Sequence, residues 1–125
     1  MISKEAILQL HELSIKVYGG SNGLRDEGLL ESAIGRAYQT FSGEDLYPTA
    51  IEKVAAIFES LIINHPFIDG NKRTGFLGMY AVLQLGGVDL IASQEEAYVF
   101  TIAVSTGEKK YDDIVAWLNA NTADT

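Results

Sequence analysis

The chain has 125 residues, 47% of them hydrophobic, which is enough for one compact domain over residues 1–125 with a core of its own. It contains no cysteine, which excludes disulfides, thiolate metal sites and a cysteine nucleophile. Nine basic side chains against seventeen acidic ones give a net charge of −8. Because such a surface repels phosphate backbones, we do not expect general nucleic-acid binding.

The remaining composition bears on location. Residues 1–5 lack the basic flank and apolar block of a signal peptide. Apolar stretches are broken by charged residues or glycines, and none is long enough to span a bilayer. We therefore expect a soluble, cytoplasmic protein with no membrane partner, and the absence of cysteine fits a reducing compartment.

Helix signals open the chain. Ser3 is a candidate cap for a first helix, with an apolar face predicted from Ile7, Leu10, Leu13 and Val17. The stretch 18–23 is rich in glycine and ends that helix, and Asp26 is a candidate cap for the second. His11 is interpreted as a packing histidine, since it sits among apolar residues of the first helix.

The middle of the chain predicts a hairpin and a buried helix. Residues 40–47 hold a polar turn between aromatic residues, which is typical of a hairpin or a surface flap. A capping pattern at 49–52 begins a third helix that is apolar on nearly every side over 54–63, which predicts burial among other helices.

Three more helices are predicted beyond residue 70. One runs to about residue 85, a capping box at 93–96 starts the next, and the last is amphipathic over 111–118. Residues 87–91 are a candidate extended piece, and the polar tail 119–125 is expected to fray. The prediction is an all-α domain, a bundle of about six helices with a small hairpin flap.

The most informative stretch is 65–74, which reads His-Pro-Phe-Ile-Asp-Gly-Asn-Lys-Arg-Thr. If Gly70 and Asn71 form the first turn of a buried helix, its opening N–H groups lack intrahelical acceptors and its end is electropositive. An anion binds readily at such an end, where Gly70 lets the backbone come close. Lys72 and Arg73, both expected to be exposed, oppose the helix dipole there, so an anionic ligand is a good reason to keep them.

Two further side chains supply chemistry. Asp69 offers a hard oxygen to Mg²⁺, which takes one or two protein carboxylates and completes its shell with phosphate and water. His65, with an unperturbed pKa of about 6.5, can accept a proton near neutral pH. Together these groups suit phosphoryl or nucleotidyl transfer.

Each residue also has a structural alternative. Asp69 could cap the helix, His65 could simply end the preceding one before proline, and the two cations could be a solvated pair. Phe67 is predicted to be a buried anchor of the loop under either interpretation. A metal hydrolase has too few candidate ligands, since the chain has two histidines.

The whole string 65–74 resembles the signature of the Fic/Doc superfamily, most closely its Doc (death-on-curing) branch. The stretches 18–20, 23–26 and 29–33 are similar to the amino-terminal half of Doc-type proteins. The resemblance implies the all-α Fic fold. By position it implies that His65 is the base acting on a target hydroxyl and that Asp69 is the magnesium ligand. Gly70 and Asn71 would then form the anion cradle, and Lys72 and Arg73 would contact the phosphates. Residues 40–48 would be the flap that aligns the target.

Two positions bear on which group is transferred. Fic proteins that transfer AMP typically carry glycine where this chain has Lys72, and a second arginine where it has Phe76. Losing that arginine removes a fork for the distal phosphates. The Doc branch shares the lysine and transfers the γ-phosphate of ATP to elongation factor Tu, which stops translation. The resemblance thus favours a protein kinase toxin; AMP transfer and a non-catalytic binding module stay open as alternatives.

Family members are often restrained by an inhibitory helix of the pattern Ser/Thr-x-x-x-Glu-Gly/Asn. The sequence has no match, and residues 40–45, which come nearest, end in aspartate. The resemblance therefore implies a separate antitoxin protein of the Phd type as the partner that restrains this chain.

Overall fold

The computed structural model describes residues 2–124, with the backbone alone at Asp124. Within that range the chain forms six α-helices and two small antiparallel strand pairs. The all-α class, the number of helices and the hairpin are therefore confirmed. The helices are α1 (Lys4–Tyr18), α2 (Glu27–Ala37), α3 (Ala50–Asn64), α4 (Asn71–Leu85), α5 (Gln94–Ser105) and α6 (Tyr111–Ala120).

Helix starts follow the predicted caps. Ser3, Asp26, Thr49 and Ser93 each accept a hydrogen bond from the backbone N–H three residues further on. At Ser93 the backbone N–H also donates to the side chain of Glu96, which completes a capping box. Side-chain caps thus determine where four of the six helices begin. Helix α4 begins inside the motif 65–74, after Gly70, and has no side-chain cap.

Helix α3 forms the centre of the core. It packs against α2, α4, α5 and α6, and both α1 and α5 also contact α4. Its buried side chains point in all directions, as the apolar run predicted, and include Val54, Ile57, Phe58, Leu61 and Ile62. The motif between α3 and α4 is therefore carried by the two helices with the most extensive mutual packing.

The predicted apolar face of α1 is wrong in its outer half. Leu13 and Val17 are 53% and 62% exposed, whereas Ile7, His11 and Ser14 are buried. These three share a face because they are spaced by four and three residues. The face turns toward α4 and the motif, where Ile7 packs in the core and His11 stacks on Phe67 and bonds to the loop.

Both predicted extended stretches pair. The hairpin is β1 (Thr40–Phe41) with β2 (Glu44–Asp45), and its two turn residues, Ser42 and Gly43, have positive φ. The expectation of a frayed tail is wrong, because β4 (Thr122–Asp124) pairs with β3 (Val88–Leu90). Without the tail, β3 would have no partner strand, so the backbone of the tail finds its hydrogen bonds there. Thr125 lies outside the described residues. No helix within residues 2–124 has the length and apolarity needed to cross a membrane.

Candidate active site

The loop between α3 and α4 has a left-handed residue at each end. His65 ends α3 with φ 51° and ψ 60°, and Gly70 precedes α4 with φ 78° and ψ 18°. Glycine adopts this conformation freely, but a residue with a Cβ is disfavoured there by about 1–2 kcal/mol. The exposed His65 therefore needs neighbours that hold its backbone in place.

Arg25 supplies that restraint. Its Nε donates to the carbonyl oxygen of His65 at 2.7 Å, and its Nη2 donates to that of Asn64 at 2.8 Å. These carbonyls end α3, where the helix dipole is negative, so a guanidinium fork is well matched to them. The resemblance covered residues 23–26, but nothing local in the sequence predicted this contact across 40 residues.

The rest of the α1–α2 connection runs antiparallel to the loop. The N–H groups of Arg25 and Asp26 both donate to the Pro66 carbonyl, at 2.7 and 2.9 Å. The N–H of Ile68 donates to the Gly23 carbonyl at 3.1 Å, and Leu24 pairs with Phe67. The loop is thus hydrogen-bonded along its length to a segment far away in sequence, which restricts its conformations.

Phe67 anchors the loop from within, as predicted. It is 2% exposed, and its ring stacks on His11 with centroids 3.8 Å apart. His11 Nε2 lies 2.7 Å from the Asp69 carbonyl oxygen, so this nitrogen carries the hydrogen and donates. The interpretation of His11 as a packing histidine is confirmed, and the structure adds its bond to the loop.

The side chain of Asn71 is directed at the loop. Its Oδ1 accepts from the N–H of Phe67 and its Nδ2 donates to the carbonyl of the same residue, both at 2.9 Å. The amide therefore closes the loop onto the first turn of α4. What Asn71 offers a ligand is its backbone N–H.

Asp69 is exposed and held by two backbone donors. Its Oδ2 accepts from the N–H of Ser21 at 3.1 Å and its Oδ1 from that of Gly70 at 2.8 Å. These bonds, first from Ser21 and then from Gly70, lower the pKa of the carboxyl, and the charge of Arg73 adds a smaller contribution in the same direction. The residue before α4 is Gly70, without a side-chain cap, so the alternative role of Asp69 as the helix cap is wrong.

The start of α4 leaves backbone donors free. The first bond into the helix runs from the N–H of Thr74 to the carbonyl of Gly70 at 2.9 Å. Within residues 2–124 the N–H groups of Asn71, Lys72 and Arg73 have no acceptor. Together with the helix dipole they form an electropositive concavity that suits an anion.

The two cations beside these donors differ. Lys72 is exposed, as predicted, and its side chain has no partner among residues 2–124. Arg73 is half-buried rather than exposed, because its Nη2 donates to the Gly19 carbonyl at 2.9 Å and its guanidinium lies 5.5 Å from the centre of the Tyr18 ring. Arg73 is thus oriented in advance.

The structure therefore places the predicted site residues on one loop and the first turn of the helix that follows it. Sequence reasoning missed three contributors: His11 in α1, the Gly20–Ser21 pair beside Asp69, and Arg25 beside His65. The signal for the last two was the similarity of residues 18–20 and 23–26 to Doc-type proteins.

Comparison with known proteins agrees with this site. The sequence profile of the Fic/DOC family matches residues 1–83, from α1 through most of α4. The chain belongs to the Fic/DOC family.

Two relatives specify the branch. A protein named Toxin Doc from Mycolicibacterium smegmatis is 38% identical over 103 residues, which cover 81% of this chain and 79% of that protein. A protein named Protein kinase doc from Escherichia phage P1 is 34% identical over 108 residues, covering 86% of this chain and 83% of the relative. The predicted membership of the Doc branch is confirmed.

Proposed function

We propose that this chain is a Doc-type toxin: a protein kinase that transfers the γ-phosphate of ATP to a hydroxyl of a target protein. The observation that carries the proposal is the start of α4, where free N–H groups and two cations stand directly after a loop bearing His65 and Asp69. Similarity to the protein kinase of phage P1 supports the choice of phosphoryl transfer. The target is a translation factor such as elongation factor Tu, as the resemblance implies.

The chemistry assigns one role to each group. The imidazole of His65 takes the proton from the target hydroxyl, whose oxygen attacks the γ-phosphorus as the bond to the β–γ bridging oxygen breaks and ADP leaves. The negative charge on the transferred phosphoryl oxygens is stabilised by the N–H groups of Asn71, Lys72 and Arg73 and by the side-chain cations of Lys72 and Arg73. The restraint of the His65 backbone by Arg25 keeps the base in position.

Asp69 fits a magnesium site whose other ligands are phosphate and water. Its carboxylate is exposed and has a lowered pKa, and within residues 2–124 no group of three or more histidine, cysteine or acidic side chains could enclose a metal ion. Mg²⁺ in phosphoryl-transfer sites takes one or two carboxylates and otherwise phosphate and water, so this donor set suits it. When bound, the ion would neutralise phosphate charge.

Label transfer tests the proposal against AMP transfer. The purified protein is incubated with Mg²⁺ and elongation factor Tu, using either γ-labelled or α-labelled ATP. We expect label on the target only from the γ position and none with His65→Ala. Label from the α position alone would replace the kinase assignment with AMP transfer.

Lys72→Ala tests the phosphate site itself. Lys72 is exposed and unpaired among residues 2–124, so its loss should leave the fold intact and weaken transfer. If Lys72→Ala retained the full rate of transfer at limiting ATP, the assignment of the phosphate site would be wrong.

A non-catalytic binding module makes a different prediction in cells. We expect expression of the parent chain to arrest growth, and His65→Ala to relieve the arrest at equal protein level. An equally toxic His65→Ala would favour the binding module.

A separate antitoxin of the Phd type restrains the toxin in trans, and its co-expression should relieve the arrest caused by the parent.

A further inference from the structure

A small pocket of about 250 Å³ opens beside the last turn of α3. Its walls come from α2, from α3 and from the connection between α5 and α6. Because it is smaller than the usual small-molecule site of about 300–1,000 Å³, it suits a single side chain better than a cofactor. Asn64 lines the pocket, and His65 is the next residue along the chain, so the pocket adjoins the residue assigned as the base.

The charges that line the pocket leave an excess of two cations. Arg36 donates from its Nη1 to the carboxylate of Glu59 at 2.8 Å, so the charges of these two residues cancel. Lys109 and Lys110 are exposed and form no ion pair among residues 2–124. The pocket is therefore locally positive on a chain whose net charge is −8.

The acidic residues beside these lysines leave the pocket positive. The carboxylate of Asp113 accepts from the backbone N–H of Lys110 at 3.0 Å, and Glu108 does not line the pocket. Ile63, which does line it, is 48% exposed and adds an apolar surface beside the cations. Two free cations next to an apolar side chain are complementary to a protein segment that carries acidic and apolar residues.

The pocket lies apart from the phosphate site. Residues 71–73, which supply the free N–H groups and two cations at the start of α4, do not line the pocket. The loop 65–70 separates the two regions, with the pocket at its beginning and the phosphate site at its end. A protein bound over the pocket can therefore reach His65 without displacing the phosphates.

The two lysines also lie outside the part of the chain that matches the family profile, which ends at residue 83. The residues assigned to proton transfer, magnesium and phosphate all lie within the matched part. This division suits a surface that selects the target, as opposed to one that takes part in the shared chemistry.

We propose that Ile63, Lys109 and Lys110 form a docking surface for an acidic segment of the target protein. The segment binds over the pocket and brings the acceptor hydroxyl to His65. The proposal rests on the proposed function for the reaction that follows. It adds where the target binds and which charge the target carries at the point of contact.

Transfer to elongation factor Tu at saturating ATP, measured over a range of target concentrations, tests the proposal. Lys109→Ala with Lys110→Ala should raise KM for the target by about tenfold at low ionic strength and leave kcat and KM for ATP unchanged. Raising the salt concentration should bring KM of the parent toward that of the double variant, because salt screens exposed charges.

Two further double variants serve as controls. Lys109→Arg with Lys110→Arg keeps both charges and should behave as the parent does. Lys4→Ala with Lys16→Ala removes the same total charge from α1, outside the pocket, and should leave KM for the target unchanged.

A parent-like KM for the target in Lys109→Ala with Lys110→Ala, an equal rise in the α1 variant, or a raised KM for ATP would overturn the proposal. Loss of restraint by the antitoxin with unchanged transfer would also overturn it, since the surface would then bind the antitoxin. The proposed function fails separately. If elongation factor Tu binds the parent in the absence of ATP, and binds the double variant more weakly, but no phosphoryl group is transferred, the docking surface stands and the kinase assignment does not.

Discussion

Gly20 lies directly against the carboxylate of Asp69. A Cβ at Gly20 would stand 2.6 Å from Asp69 Oδ2, and the residue has a φ of 115° that side chains rarely adopt. The next residue, Ser21, donates its N–H to the same oxygen. Glycine at this position therefore lets the α1–α2 connection close onto the carboxylate that we assign to magnesium.

Gly20→Ala should displace the Asp69 carboxylate. Because misplacement of a catalytic group by about 1 Å can cost up to about a hundredfold in rate, we expect Mg²⁺-dependent transfer to fall by between about tenfold and a hundredfold. Magnesium titration of the transfer rate is the measurement. Gly107→Ala, in the connection between α5 and α6, is the control, since Gly107 also has a positive φ, 81°, but no atom lies within 4 Å of an added Cβ. Equal losses in both variants would show that backbone strain alone is responsible.

Arg25→Ala should lower kcat and leave KM for ATP unchanged, because Arg25 touches the backbone of His65 and Asn64 and no predicted phosphate contact. Free guanidinium in the assay should restore part of the rate, which a loss of fold would not allow. Lys4→Ala serves as control, since it removes a cation that joins α1 to Glu27 and Glu31 of α2 away from the loop. Parent-like kcat in Arg25→Ala would mean that His65 keeps its conformation without the fork.

Phe67→Ala should reduce the free energy of unfolding by about 3–5 kcal/mol, because it empties a fully packed site and removes the ring that stacks on His11. Urea denaturation followed by circular dichroism measures the change. Phe41→Ala in the hairpin is the matched control: its ring is 74% exposed, so the loss should be below about 0.5 kcal/mol. Similar values for the two variants would mean that Phe67 does not anchor the loop.

The Asp69 carboxyl should titrate below its ordinary pKa of 3.8, since the bonds from Ser21 and Gly70 favour the ionised form. A group with a lowered pKa in the folded state adds stability that is present above the unfolded pKa and is lost as pH falls through the folded one. Carbon-13 NMR titration of this carboxyl gives the midpoint directly. In Gly20→Ala the midpoint should rise toward 3.8, and a parent midpoint at or above 3.8 would contradict the assigned hydrogen bonds.

Most of the helices could be predicted from local sequence patterns. Caps at Ser3, Asp26, Thr49 and Ser93 act over three residues, so the sequence is enough to locate them. The motif likewise predicted the start of a helix at residues 70–71 and a buried Phe67, and the structure begins α4 at Asn71 and buries that ring. Burial of α3 followed from its apolar run.

Contacts between distant segments were beyond local patterns. The Arg25–His65 bond spans 40 residues and the His11–Asp69 bond spans 58, and no periodicity encodes either. The same holds for the tail, where polar composition predicted fraying but pairing with β3 orders Thr122. The half-burial of Arg73 also depends on such a contact, with Gly19. The site is thus recognisable from its motif, while its rigidity comes from the α1–α2 connection.

The mass of the modified target distinguishes phosphoryl transfer from AMP transfer in a single measurement. The protein, ATP, Mg²⁺ and elongation factor Tu are incubated together, and the intact target is then weighed and its modified residue located by mass spectrometry. We expect the target to gain a single phosphoryl group on a hydroxyl side chain, in a reaction that requires His65 and releases ADP. A gain of a whole AMP group with release of pyrophosphate, or an unmodified target in an assay where the phage P1 protein kinase doc modifies it, would show that the chain is not a kinase for this target.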